Sequence, residues 1–249
     1  MAENQTRWWE FYAVRYAMGT VVGAAALMFL CSKTQEIQSV LPGIRPPEAG
    51  SLETPRIFLT AAYGLIYCYV ASAPILVFHA GRFLLNPDTP KRRTGSLTLL
   101  YSILPVLCVI GACCASFHYQ VEGKFFICLT AYAFALLLEL EVATVYFSIV
   151  RSQALFDFYD VLDKRRHESR NGEIVESYRH LREHGNSFFI VFLEMALAVV
   201  LFEIQKLLPS CLVAASWLGL LIVWIGPAVC IWLVGTLFER RFRDAQPKM

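Results

Sequence analysis

Six apolar stretches of bilayer length, parted by short polar joints, constrain this chain more than anything else in it. They cover residues 11–31, 57–78, 97–117, 125–150, 187–204 and 211–238. A hydrocarbon core of about 30 Å asks for about 20 helical residues, so each stretch suffices for one crossing. Charge is scarce, at 17% of residues against 57% hydrophobic, where a soluble domain carries about 25% charged residues. What charge there is gathers between the apolar runs. Intrinsic disorder, a collagen-like fibre and a secreted disulfide scaffold are excluded. The expected fold class is all-α: a polytopic membrane helical bundle of about six transmembrane helices, forming a single membrane domain over 1–249.

Lysine and arginine placement orients the spans, because cytoplasmic loops collect the excess. Grouping the N-terminus, the 79–96 loop, the 151–186 segment and the C-terminus on one side puts 17 basic residues there and 5 opposite. Both termini are therefore expected in the cytoplasm. The weakest crossing is 187–204, which is short and holds two glutamates. Without it, the basic run 239–243 would fall outside. The first apolar run is too long for a signal-peptide h-region, so it reads as a retained helix. A bacterial inner membrane is the expected location.

Residues 151–186 are the only substantial polar segment. Leu155, Phe156, Phe158, Tyr159 and Leu162 make an apolar helical stripe, and Asn171-Gly172 signals a turn. Ile174, Val175, Tyr178 and Leu181 continue at helical spacing beyond it. The expectation is a cytoplasmic helical hairpin between spans four and five, too small to be a catalytic core. Lys164, Arg165, Arg166, Arg179 and Arg182 are its candidate docking residues for a cytosolic protein partner. The external 32–56 loop is expected to be irregular after a short helical start. The basic, turn-rich 86–96 loop marks topology or meets anionic headgroups.

No catalytic constellation is visible, and the chain is not expected to be an enzyme or to need a cofactor. The eight cysteines include no Cys-x-x-Cys pair and read as small apolar fillers rather than zinc ligands or a redox centre. His180 and His184 share a helix face but lack a third ligand, so no metal is expected. Aromatic and basic residues do not interleave as in a nucleic-acid channel.

Acids inside the apolar runs carry the functional signal. Glu139 and Glu141 lie in span four, Glu194 and Glu203 in span five, and Arg15 near the start of span one. An ionisable side chain at bilayer depth costs at least about 2.5–3.5 kcal/mol, so it faces protein or water rather than lipid. Glu139 and Glu141 stand about 200° apart around a helix and cannot share a face. Either these groups bond to neighbouring hydroxyls, or they line a cation pathway or proton relay. Gly19 and Gly23 with the following alanines make a small-residue face for another span or a second subunit. Pro74, Pro105 and Pro227 favour kinks, with Gly226-Pro227 the hinge candidate. Trp8 and Trp9 are interfacial anchors.

The leading expectation is an oligomeric channel or membrane-permeabilising protein, lying in the lipid bilayer and gated through its cytoplasmic hairpin. A bacterial stress or anti-phage effector is its expected setting. The alternative is a membrane scaffold or sensor whose hairpin recruits a cytosolic partner.

Overall fold

The computed structural model describes residues 8–33, 37–38, 41–44, 54–85, 95–118, 121–168 and 172–245. Among them every regular element is helical: α1 (Trp8–Lys33), α2 (Thr54–Ala71), α3 (Ala73–Ala80), α4 (Gly95–His118), α5 (Lys124–Val150), α6 (Ser152–Glu168), α7 (Gly172–Leu207) and α8 (Ser210–Ala245). A 3-10 turn, Gly81–Leu85, extends α3. Five segments are long and apolar enough to cross a membrane: Tyr16–Lys33, Thr54–Leu85, Lys124–Val150, Gly185–Leu207 and Ser210–Glu239. The described residues are all-helical, with five segments apolar and long enough to suggest a multi-pass membrane protein.

Surface chemistry agrees with that class. On α7, Phe188, Phe192, Met195 and Val199 follow one another at intervals of four, three and four, and all are exposed. Ile190, Leu193, Leu197 and Leu201 form the buried stripe on the other side. A water-soluble helix puts polar residues on its exposed face. Here both faces are apolar, which suits a helix with protein on one side and hydrocarbon on the other.

Several boundaries differ from the sequence expectation. The stretch 57–78 is two helices rather than one. Pro74 has no N–H to offer the carbonyl of Val70, and the Ile75 N–H is drawn to the Ser72 carbonyl at 3.0 Å. The helix therefore breaks at Ser72. Trp224 of α8 repairs the break: its indole N–H donates to the carbonyls of Val70 at 3.1 Å and Ala71 at 3.3 Å. Pro105 and Pro227, by contrast, lie within the continuous helices α4 and α8. The weak fifth stretch, 187–204, is part of a single 36-residue helix. Gly185-Asn186 does not interrupt it, because Gly lowers helix propensity without ending a helix whose other residues favour it.

The core gathers α1, α2, α7 and α8 around Leu30, Tyr67, Leu197, Leu201, Trp217 and Trp224. The ring of Phe134 from α5 stacks on Trp224, with centroids 5.9 Å apart. Helix α4 rests on α5 and makes no other substantial helix contact among the described residues. The start of the 32–56 loop folds back on the bundle, with Ile37 and Ile44 buried and the Gln38 amide donating to the Cys31 carbonyl at 2.7 Å. Gly43 turns the chain there at φ 89°, a conformation that needs glycine.

Candidate functional site: buried carboxyls of the bundle

Helix α5 presents a polar stripe inside an apolar protein. Glu141, Thr144 and Ser148 recur at intervals of three and four, all buried, among exposed Leu140, Val142, Tyr146 and Ile149. The stripe faces the end of α3 and the middle of α8. A Cβ added to Gly81 would meet the Thr144 methyl at 2.9 Å, and Val145 packs on Val77, Ala228 and Ile231. Thr144 satisfies its own hydroxyl by donating to the Leu140 carbonyl at 2.8 Å. Glu141 is fully buried, and neither of its carboxyl oxygens has a hydrogen-bond partner among the described residues. The Ser148 hydroxyl is likewise unpartnered.

Beside Ser148 lies an open groove of about 440 Å³ lined by Ser148, Ile149, Ser152, Val234, Leu237 and Phe238, with Ile149 and Leu237 exposed. A second groove, of about 450 Å³, adjoins it where His79, Tyr159, Thr236, Phe238 and Glu239 converge. Both lie at the base of α6, the first arm of the polar segment. That arm is docked rather than free. Tyr159 donates its hydroxyl to the His79 carbonyl at 3.1 Å, Leu155 is buried, and Phe156 stacks on Phe238 at 6.2 Å. Leu155, Phe156 and Tyr159 of the apolar stripe read from 155–162 are thus turned toward α3 and α8.

Glu194 occupies a different interface, on the side of α7 that meets α1 and α2. Its carboxyl is fully buried beside Gly19 and against the Cys68 thiol, with no stronger donor among the described residues. Tyr67 bonds only the Glu194 main chain, donating to its carbonyl at 2.9 Å. Glu139 faces α4, within electrostatic reach of Cys108, with one oxygen unpartnered. Glu203 has a cation at hand: Lys206 lies 3.3 Å from its carboxyl. The carboxyls therefore serve separate helix interfaces and do not form one network. The Arg15 side chain lies outside the described residues.

Gly19 and Gly23 are used within the bundle. A Cβ on Gly23 would run into the Gly64 carbonyl oxygen, and one on Gly64 into the main chain of Thr20 and Ala24. Their partner is α2. At Gly226 a Cβ would meet nothing within 4 Å, and α8 runs unbroken through Gly226 and Pro227. Of the candidate docking residues, Lys164 is ion-paired with Asp160 at 2.8 Å. The side chains of Arg165, Arg166, Arg179 and Arg182, and of His180 and His184, lie outside the described residues. No group of three metal-ligating side chains occurs among those that are described.

No family model, curated protein or solved structure matches the chain.

Sequence reasoning missed two things at the site. Ser148 and Thr144 were not singled out with Glu141, although their spacing was a readable signal. The thiols of Cys113 and Cys128 come within 2.6 Å across the α4–α5 hairpin, and no spacing rule pairs residues on different helices.

Proposed function

We propose that this chain is a multi-pass cation channel whose permeating ions exchange at carboxyls inside the bundle and whose gate is the cytoplasmic hairpin. One observation carries the reading: the fully buried Glu141 carboxyl, without a hydrogen-bond partner among the described residues, at the head of a hydroxyl stripe that leads to an open groove. A carboxyl buried in an apolar helix is costly, and no bond among the described residues offsets the cost. Such a group is suited to taking up and releasing a proton or small cation. Thr144 and Ser148 supply oxygen ligands along the same line, and α6 sits over its groove end.

The orientation proposed with it has six crossings, both termini in the cytoplasm and a bacterial inner membrane as location. Helix α4, with 24 residues, is about 36 Å long and can make the sixth crossing. The 17-to-5 basic asymmetry supports the sidedness. Self-association through exposed apolar faces, and a permeabilising role in stress or anti-phage defence, extend the proposal. Purified protein in liposomes tests the core of it by proton and potassium flux. Flux that falls in Glu141→Gln supports the reading, and a wild-type protein that passes neither ion refutes it.

A further inference from the structure

We infer that Cys113 and Cys128 form a redox-controlled clasp that locks α4 against α5 on the external side. Their Sγ atoms lie 2.6 Å apart, one on each arm of an antiparallel hairpin, and both residues are half-buried. Adjacent Cys114 is exposed, so a helical step of about 100° takes it out of the pairing. The turn between the arms is tight: the Val121 N–H donates to the Ser116 carbonyl at 3.1 Å, and Gly123 takes φ 77°. Cys113 lies five residues before the end of α4 and Cys128 four after the start of α5. Each thiol is therefore about 6–8 Å below the helix ends, within reach of a small oxidant from outside.

The oxidant class is a low-molecular-weight disulfide. One cysteine thiolate attacks it, expelling one thiol and forming a mixed disulfide; the second cysteine attacks the protein sulfur and expels the other thiol. The new S–S bond costs the protein two electrons and two protons, which leave on the two released thiols. The consequence follows from how α4 is held. Among the described residues it packs substantially on α5 alone, and its Cys108 lies within electrostatic reach of Glu139. A closed clasp keeps α4 near that carboxyl, while an open one leaves α4 free to swing on its packing. The external placement rests on the orientation proposed above; the thiol geometry does not.

The test is alkylation mapping of the full-length protein before and after oxidised glutathione. In detergent, the eight alkylated cysteines should fall to six, with one Cys113–Cys128 linked peptide and the loss of two hydrogens. Cys114→Ser should keep the link and Cys113→Ser should abolish it. Eight alkylated cysteines after treatment would overturn the clasp itself and leave the channel reading standing. Right-side-out vesicles exposed to the impermeant oxidant should show the same link. A link that forms in detergent but not in those vesicles would overturn the external placement, and the proposed orientation with it.

Discussion

Tyr159 of the polar hairpin donates its hydroxyl to the main-chain carbonyl of His79, at the end of α3. The bond ties the first arm of the hairpin to the helix whose 3-10 extension, at Gly81, covers Thr144 in the middle of the buried stripe. It joins the proposed gate to the proposed pathway.

Tyr159→Phe removes that bond while leaving the ring. A neutral hydrogen bond contributes about 1 kcal/mol net, about a fivefold change in an equilibrium. The open state of the hairpin should gain by that factor, seen as a severalfold rise in liposome proton flux. Unchanged flux, with unchanged amide exchange over 152–162, would separate the hairpin from gating.

Trp224→Phe tests the repair of the α2–α3 break. The variant keeps an aromatic ring against Phe134 but leaves the carbonyls of Val70 and Ala71 without their donor. Buried, unsatisfied groups of this kind cost about 1–3 kcal/mol. A lower thermal midpoint in detergent is expected; a midpoint equal to wild type would show that the break needs no cap.

Gly64→Leu should be severe, because its Cβ would meet the backbone of Thr20 and Ala24, which cannot swing aside. Overpacking of a close helix contact costs about 1–3 kcal/mol or more. Gly235→Ala is the control, since nothing lies within 4 Å of its Cβ position. It should be neutral or stabilising by up to about 1 kcal/mol. Equal melting of the two variants would contradict the α1–α2 packing.

Reversing the charges over 164–183 addresses the scaffold alternative. On the channel reading it changes gating and leaves the wild-type conductance of the open state. Loss of a specific co-purifying cytosolic protein, with flux untouched, would favour recruitment over conduction.

The membrane class was legible because apolar run length is a local property. So was the placement of Glu141 and Glu194 within long apolar helices, since run length and position are read directly from the chain. Which neighbours those carboxyls face was not legible. Glu194 meets Gly19 and Cys68, residues more than a hundred positions away, through a tertiary packing that no periodicity records. The small face of Gly19 and Gly23 was visible as a face, but only the packing names α2 as its partner. Pro74 announced a disturbance in 57–78; that the freed carbonyls of Val70 and Ala71 would be capped by Trp224, a residue of the last helix, was not legible. The stripe of Leu155 and Tyr159 was readable, and the surface it covers was not.

Ion flux through the purified protein in liposomes, wild type against Glu141→Gln, tests the central claim most directly. Glutamine keeps the size of the side chain and removes its capacity to hold a proton or cation. A fall of about tenfold, equivalent to about 1.4 kcal/mol, is expected in Glu141→Gln. Glu203→Gln, whose carboxyl lies outside the stripe beside Lys206, should match wild type. Equal flux in wild type and a folded Glu141→Gln protein would contradict the account.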